Sequence, residues 1–458
     1  MAVLIKNGTV VTAVDEWQSD VRCDDGKIVA IAPNLESASG DEVIDASGQY
    51  VFPGGIDPHV HMELSFMGTI SADDFETGTA AGVAGGTTTI IDFVIPNRNQ
   101  NLMEALKDWH AKAEKSVADY AFHMAVTWWG DKTAEWMKRC ITEEGIPSFK
   151  TFMAYRGAIG VFDDELINVM KTAHELEALV TVHAEHGDMI VELQNKLMSE
   201  GHSEPKYHAI SRPPPVEGEA TARAAMFARI NGAPLYVVHV TCEESINAIA
   251  EARLRGQEVW GETCTQYLLL DDSVYDKPNF EGAAYVMSPP IRPKGNQEAL
   301  WAALRAGVIQ ILATDHCPFN LKGQKEMGKD DFRKIPNGAA GIEHRLSLFY
   351  TYGVRTGRLD LNQFVDMTST RAAKIFGLYP RKGSVTVGAD ADLVVWDPDA
   401  TGTISVKTHH HNVDYNIFEG FEVQGQASSV VVNGRVQYQN GDLKVEKGAG
   451  RYLERTFK

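Results

Sequence analysis

The chain has 458 residues, 44% of them hydrophobic and 23% charged, so it can bury a large core and form more than one domain. With 43 basic and 62 acidic residues its formal net charge is −19, which argues against binding to a nucleic-acid backbone. The five cysteines are scattered without C-x-x-C spacing, and neither a signal peptide nor a membrane-spanning run is visible. We therefore expect a cytoplasmic protein without disulfides that binds neither nucleic acid nor membranes.

Residues 1–52 are rich in β-forming residues, as in "VLIKNGTVVTA" and "GKIVAIAPNL". Short runs of this kind separated by turn residues predict strands. Asn7-Gly8 matches the start of a glycosylation sequon, but in a protein that is not secreted it is typical of a hairpin turn. This segment is predicted to contribute strands to a small β domain.

Residues 53–377 alternate short β-rich runs with segments that carry apolar residues at helical spacing. We count eight such runs, the first beginning just before the boundary: YVFPGGIDPHVH, GTTTIIDFVI, YAFHMAVTW, SFKTFMAY, LVTVHAE, LYVVHVT, EVWGETCTQYL and VIQILATDH. Eight strands separated by helices favour a (β/α)₈ barrel of the α/β class over an open sheet.

Residues 378–445 return to β-rich runs around an Asn-Gly pair, as in "DADLVVWDP" and "SVVVNGRVQYQNGD". We interpret them, together with residues 1–52, as one small β-sandwich-like domain built from both ends of the chain. Residues 446–458 form a polar tail, which we regard as a candidate subunit contact.

The barrel runs end in residues that can bind metals. Residues i and i+2 of a strand point to the same face, so His59 and His61 can meet one object. A single buried histidine is usually a satisfied core residue, and Asp315 alone could cap a helix. Lysine, however, is rarely buried without a partner. Because the carboxyl ends of barrel strands share one rim, we expect a common site formed by His59, His61, Lys150, His183, His239 and Asp315.

These ligand types suit Zn²⁺, with Mn²⁺ or Fe²⁺ as alternatives. Four histidines and an acid exceed the needs of one catalytic zinc ion, so the set favours two metals. Lys150 can take part only when neutral, and a neutral amine can add CO₂ to form a carbamate that bridges two cations. We interpret the run 409–411, "HHH", as a solvated turn and His186 as a residue outside the site.

The motifs DPHVH (57–61), SFK (148–150), VHAE (182–185), VVHV (237–240) and ATDHC (313–317) resemble those of the amidohydrolase superfamily. Together with MSPPIRPKGNQEALW, IPNGAAGIEHR and VGADADLVVWDP, they resemble the D-hydantoinase/dihydropyrimidinase group over essentially the whole chain. The resemblance implies two Zn²⁺ per subunit, a carboxylated Lys150 between them and a homotetramer. It places His59, His61, Lys150 and Asp315 on one metal, and Lys150, His183 and His239 on the other.

The resemblance also implies the reaction, which is hydrolysis of 5-monosubstituted hydantoins and dihydropyrimidines to N-carbamoyl amino acids by a hydroxide between the metals. Asp315 would move the proton, and Tyr155 would stabilise the oxyanion. Tyr155, Ser288 and Asn337 would contact the ring. An apolar wall would face the exocyclic group, with a family leaning toward the D isomer; its residues are Leu64, Phe66, Phe152 and Ile159.

Three alternatives are weighed against this function. Dihydroorotases carry an arginine where this chain has Glu63, which argues against a carboxylated ring. Allantoinase is harder to separate, because its substrate also contains a hydantoin ring. A metal-free scaffold of the same fold would have lost ligands that this chain keeps. Asp57 either orients a ligand histidine or has a structural role.

Overall fold

The computed structural model describes residues 2–457. Its strands are, in chain order, β1 (Val3–Val11), β2 (Glu16–Asp24), β3 (Lys27–Ala32), β4 (Glu42–Asp45), β5 (Tyr50–Pro53), β6 (Gly55–Val60), β7 (Ser65–Phe66), β8 (Thr69–Ile70), β9 (Thr87–Val94), β10 (Asp119–Ala125), β11 (Ser148–Phe152), β12 (Leu179–His183), β13 (Leu235–Val237), β14 (Val259–Cys264), β15 (Ile311–Ala313), β16 (Leu393–Thr403), β17 (Glu422–Val432), β18 (Arg435–Gln439) and β19 (Asp442–Leu443).

The α-helices are α1 (Phe75–Ala84), α2 (Leu102–Ala113), α3 (Thr133–Glu144), α4 (Asp163–Glu175), α5 (Gly187–Ser199), α6 (Lys206–Ile210), α7 (Pro214–Asn231), α8 (Glu243–Leu254), α9 (Thr265–Leu269), α10 (Asn296–Arg305), α11 (Arg345–Phe349), α12 (Leu361–Val365) and α13 (Arg371–Ile375). Short 3₁₀ segments span Asp272–Asp276, Glu281–Tyr285, Lys325–Gly328 and Phe332–Lys334, and π-helical turns span Tyr350–Val354 and Asp366–Thr370.

Eight strands, β6 and β9 to β15, form a parallel sheet in chain order with helices between them. Every residue of β9 and β10 is buried, as expected where helices cover one face of a closed sheet and side chains fill the other. This arrangement confirms the (β/α)₈ barrel.

Polar side chains join the first and last strands of the barrel. The buried guanidinium of Arg345 donates hydrogen bonds to the carbonyl oxygens of Ile56 and Leu312, each at 2.9 Å. The hydroxyl of Thr314 donates to the carboxylate of Asp57 at 2.6 Å. Among residues 2–457, Asp57 otherwise accepts the backbone N–H of His59 at 3.2 Å and no imidazole N–H, so of its two predicted roles the contacts favour the structural one.

The second sheet has nine strands and uses both ends of the chain, because β16 pairs antiparallel with β5 and thereby joins β16–β19 to β1–β5. The run Tyr50–His61, predicted as one barrel strand, is divided: β5 belongs to this sheet and β6 to the barrel. The two sheets therefore meet within a few residues of Pro53.

The predicted hairpin turn at Asn7-Gly8 is wrong. Both residues lie inside β1, where the β1–β2 ladder changes register between Ile5 and Gly8. Asn7 has a φ of 62° there. A Cβ on Gly8 would lie 2.6 Å from Cγ2 of Val51, so the glycine allows β5 to pack closely. The pair thus serves a bulge rather than a chain reversal.

The C-terminal tail packs against its own barrel. The backbone of Tyr120 exchanges hydrogen bonds with Arg451 and Leu453 at 2.9 and 2.8 Å. Arg455 is buried and donates to the carbonyl oxygen of Phe122 and, at 2.9 Å, to the hydroxyl of Ser148. Within residues 2–457, none of the helices has the length and apolarity needed to cross a membrane.

Candidate metal centre and active site

One cavity at the carboxyl ends of the barrel strands brings all the predicted site residues together. The six candidate ligands come from β6, β11, β12 and the segments that follow β6, β13 and β15. The lining of the cavity contains His59, His61, Leu64, Phe66, Lys150, Phe152, Tyr155, Ile159, His183, His239, Ser288, Asp315 and Asn337.

The first group of candidate ligands is His59, His61 and Asp315, whose ligand atoms all lie within 4.8 Å of one another. Oδ1 of Asp315 is 3.2 Å from Nε2 of His59 and 3.1 Å from Nε2 of His61. Asp315 has a φ of 54°, a backbone conformation that non-glycine residues rarely adopt. Such strain is typical of residues held in place at functional sites.

The second group is Lys150, His183 and His239. The rings of the two histidines lie 4.6 Å apart, centroid to centroid. Lys150 is fully buried, and its Nζ lies 4.5 Å from the ring centroid of Phe93 rather than beside a hydrogen-bond acceptor. Burial lowers the pKa of Lys150 to about 8. The neutral amine is therefore accessible near physiological pH.

The donors fit divalent cations. Within residues 2–457, Nε2 of His59, Nδ1 of His239 and Nζ of Lys150 are buried without a hydrogen-bond partner. Buried polar atoms are normally satisfied, so such a cluster needs an explanation. Burial also lowers the pKa of His61 to about 4 and lowers the pKa of His183, which keeps these imidazoles neutral with lone pairs available. Imidazoles and a carboxylate converging in this way suit zinc and similar ions.

Glu262 supports the first group and was not identified from the sequence. Its carboxylate, buried on β14, accepts hydrogen bonds from Nδ1 of His59 and, at 2.7 Å, from the hydroxyl of Tyr236. The backbone N–H of His239 also donates to it at 3.2 Å. The available signal was an acid inside the apolar run "EVWGETC". A carboxylate on the outer nitrogen fixes the orientation of a ligand histidine.

Glu185 has the corresponding place in the second group. It lies 2.7 Å from Nε2 of His183 and accepts a hydrogen bond from Arg212 at 2.8 Å. Burial opposes its charge, but Arg212 and the hydrogen bond from His183 hold the pKa of Glu185 well below its usual range. The Arg212 guanidinium also lies 5.6 Å from the ring centroid of Tyr155. The second ligand group and Tyr155 therefore share one support.

The predicted ring contacts form one polar edge of the cavity. Nδ2 of Asn337 donates to Oγ of Ser288 at 3.0 Å and lies 3.5 Å from the hydroxyl of Tyr155. Burial raises the pKa of Tyr155, so its hydroxyl stays protonated and can donate.

Another part of the cavity lining is apolar. Leu64 and Phe152 are buried, whereas Phe66 and Ile159 are half-buried, and Ile95, which was not predicted, extends this wall. The ring of Phe66 stands edge-on to Tyr155 with centroids 5.7 Å apart.

Glu63 points away from the cavity. Its carboxylate contacts the ammonium of Lys115 at 2.6 Å. Among residues 2–457, Lys150 is the one lysine that lines the cavity, and the lining contains no arginine. The cavity therefore offers no arginine for a substrate carboxylate.

The prediction of a solvated turn at 409–411 is wrong for His411, which is buried, whereas His409 and His410 are half-buried. His411 is 5% exposed and groups with His344 and His409. Nδ2 of Asn416 donates to His344 at 2.9 Å and to His409 at 3.3 Å, and the backbone N–H of Glu343 donates to Nε2 of His411 at 3.2 Å. Each ring thus already accepts a protein hydrogen bond, although Nδ1 of His411 is buried without a hydrogen-bond partner among the described residues. His186 caps helix α5, outside the cavity.

Comparison with known proteins gives the family. The model of the amidohydrolase family matches residues 50–437. The chain is 52% identical to a D-hydantoinase of Geobacillus stearothermophilus over 457 residues, covering 100% of this chain and 97% of that protein. The crystal structure of dihydropyrimidinase from Brevibacillus agri NCHU1002 has 50% identity and a TM-score of 0.98, covering 100% of this chain and 99% of that one. An L-hydantoinase (dihydropyrimidinase) from Arthrobacter aurescens has 29% identity and a TM-score of 0.89, covering 98% and 99%. The chain therefore belongs to the amidohydrolase family, in its hydantoinase and dihydropyrimidinase group.

Proposed function

We propose that this protein hydrolyses cyclic amides, opening 5-monosubstituted hydantoins and dihydropyrimidines to N-carbamoyl amino acids. The observation that carries the proposal is the single cavity in which six candidate metal ligands face a polar edge and an apolar wall. The high identity to a D-hydantoinase over the full chain supports the same substrate class.

Two divalent cations fit the cavity, and zinc matches the donor types best, with Mn²⁺ as an alternative. When bound, the cations supply Lewis acidity, which lowers the pKa of water and polarises a carbonyl group. Carboxylation of Lys150 by CO₂ would give this side chain two oxygen ligands. One cation would be held by His59, His61, Lys150 and Asp315, and the other by Lys150, His183 and His239.

The protein side chains then move the proton and stabilise charge. Asp315 would accept the proton of the attacking water and return it to the ring nitrogen as the amide bond breaks. Burial opposes the charge of Asp315, but the neighbouring His59 and His61 hold the pKa of its carboxyl well below its usual range, so the carboxylate is ionised and can accept a proton. The Tyr155 hydroxyl would donate to the oxyanion that forms on the carbonyl.

The polar edge would position the ring. Ser288 and Asn337 line the cavity, and their backbone groups would hydrogen-bond the alternating N–H and C=O groups of an imide. The exocyclic substituent would then lie against the wall of Leu64, Phe66 and Phe152. Burying apolar substituent area there contributes roughly 25 cal/mol per Å².

These features weigh against the alternatives. The lack of an arginine in the lining, within the described chain, disfavours a dihydroorotate-like carboxylate. The apolar wall disfavours the ureido group of allantoin. A non-catalytic scaffold would have no need for buried, unpartnered ligand atoms. Higher identity to the D-hydantoinase than to the L-hydantoinase supports a D preference. We further propose that the protein is a homotetramer in the cytoplasm. Sedimentation that shows a stable monomer at micromolar concentration would contradict the tetramer.

A substrate panel tests the proposal. The purified protein is loaded with zinc and bicarbonate and assayed with hydantoin, 5-benzylhydantoin, dihydrouracil, allantoin and dihydroorotate. Turnover of the first three, with about two zinc ions per chain, is expected. If the protein holds no zinc after this loading and turns over none of the compounds, the enzymatic function is contradicted. A preference for allantoin or dihydroorotate contradicts the proposed substrate class.

A further inference from the structure

Lys325 is a buried lysine that lies outside the proposed reaction machinery. Its side chain is completely buried, and its Nζ donates hydrogen bonds to the carbonyl oxygens of Val286 at 2.9 Å and Pro336 at 3.0 Å. Another buried lysine, Lys382, contacts carboxylates, including Asp119 at 2.6 Å. Lys325 forms no ion pair with any residue of the described chain, so its two carbonyl partners account for its polar contacts.

Both carbonyl groups belong to the segments that form the polar edge of the cavity. Pro336 directly precedes Asn337, and Val286 precedes Ser288 by two residues. The backbone N–H of Gly338 also donates to the carbonyl of Val286, at 3.0 Å. Lys325 therefore holds the two chain segments at a fixed separation from behind, without lining the cavity itself.

The preceding residue, Gln324, holds a different part of the cavity. Its Nε2 donates to the hydroxyl of Thr69 and the carbonyl of Ile70, each at 2.7 Å. Thr69 and Ile70 form β8, which pairs with β7 (Ser65–Phe66) in the small hairpin next to Leu64. The Gln324 amide thus supports the apolar wall, whereas the Lys325 amino group supports the polar edge.

We propose that Gln324 and Lys325 are positioning residues that separately set the two sides of the substrate cavity: Lys325 the edge that holds the ring, and Gln324 the wall that meets the substituent. This inference rests on the proposed function. Neither residue touches the reacting atoms. Each acts through the backbone that it fixes, and small displacements of substrate-positioning groups lower catalytic efficiency strongly.

A lysine suits this position physically. Two carbonyl groups from separate segments need a donor with a long arm and more than one N–H, and the lysine side chain has two N–H bonds when neutral and three when protonated. Methionine fills a similar volume but donates nothing, so Lys325→Met removes both hydrogen bonds while keeping the core filled.

The test compares KM and kcat of the zinc-loaded enzyme on hydantoin and dihydrouracil, which differ in ring size. We expect Lys325→Met to raise KM by about 10-fold or more with a change in kcat below about 3-fold, because ring binding is lost rather than proton transfer. We also expect the ratio of kcat/KM between the two rings to change, since the spacing of the edge selects ring size. Zinc content should be unchanged.

The matched control is Lys329→Met in the same segment, because Lys329 is exposed and pairs with Glu326 at the surface. It should leave both KM values unchanged. A purely structural role for Lys325 predicts a lower melting temperature with unchanged KM for both rings, and that result overturns the inference. If Lys325→Met does not fold, Lys325→Gln is judged by the same KM criterion, with a smaller expected rise because its amide can keep one bond.

Gln324→Leu provides the complementary measurement. It should change the preference between 5-benzylhydantoin and unsubstituted hydantoin by about 5-fold or more while leaving the ratio of hydantoin to dihydrouracil unchanged. The two roles are not separate if Lys325→Met and Gln324→Leu change both preferences equally, that between hydantoin and dihydrouracil and that between 5-benzylhydantoin and hydantoin. Failure of the proposed function itself is distinct, because the wild-type enzyme would then turn over neither ring.

Discussion

The carboxylate of Glu262 accepts a hydrogen bond from Nδ1 of His59, and this contact leaves Nε2 of the same ring directed toward Asp315. The hydroxyl of Tyr236 donates to the other oxygen of Glu262 at 2.7 Å, so the acid is itself held in place. A ligand histidine is thus oriented from strand β14 on the far side of its ring.

Glu262→Gln should weaken metal binding. The amide cannot accept the imidazole proton as strongly, and loss of such a partner typically lowers metal affinity by about 10- to 100-fold. Zinc retained after dialysis against graded chelator measures the effect. Tyr236→Phe is the control and should show a smaller loss, since it leaves the bond to His59 in place. Equal zinc retention in Glu262→Gln and wild type would remove Glu262 from the metal support.

Lys150→Ala should remove most of the activity and prevent binding of at least one metal ion, while the fold stays unchanged. The reason is that Lys150 is the one residue proposed to bind both cations, and it has no structural hydrogen bond in the described chain to lose. Metal analysis and circular dichroism check the two parts. Partial recovery of activity with short carboxylic acids would support a bridging carbamate. Full zinc content with normal turnover contradicts the shared role.

Asp315→Asn should lower kcat by at least about 10²-fold, because the amide keeps the shape but cannot accept the proton. Steady-state kinetics from pH 6 to 9 on zinc-loaded enzyme provide the measurement. Wild-type turnover across that range would mean that another group moves the proton.

The apolar wall predicts a substrate order. D-5-benzylhydantoin should give a higher kcat/KM than allantoin, since an aryl group gains free energy against Leu64, Phe66 and Phe152 and a ureido group does not. Faster turnover of allantoin would contradict the proposed preference for 5-monosubstituted hydantoins. Faster turnover of the L isomer reverses only the stereochemical proposal.

Lys325 predicts a pH dependence of stability. Burial lowers its pKa to about 7, whereas in the unfolded chain the group titrates in its ordinary range near 10.4. Between these values the unfolded state binds one more proton, so the wild-type free energy of unfolding should rise with pH, by up to about 1.4 kcal/mol per pH unit, relative to Lys325→Met. Urea unfolding of both proteins at pH 6, 7.5 and 9 checks the sign. A difference that stays constant over this range contradicts the lowered pKa.

The sequence by itself determined the barrel and the six candidate ligands. His59 and His61 are two residues apart at the end of a strand, Lys150 lies within another strand, and His183, His239 and Asp315 lie at or just after the ends of three more. Closing parallel strands into a barrel brings their carboxyl ends to one rim, so local position along the chain was enough to predict a shared site.

Only the tertiary structure decided which distant groups support that site. Asn7-Gly8 has the pattern of a hairpin turn, but packing of β5 against β1 turned it into a bulge. The histidines at 409–411 look polar and loop-like, yet His411 is buried and accepts a hydrogen bond from the backbone of Glu343. The partners of Glu262 and Lys325 could not be read from the sequence, because His59 is 203 residues from Glu262 and Val286 is 39 residues from Lys325. Strand periodicity is a local property and can be read directly, whereas the partner of a buried charge is set by which segments the closed barrel brings into contact.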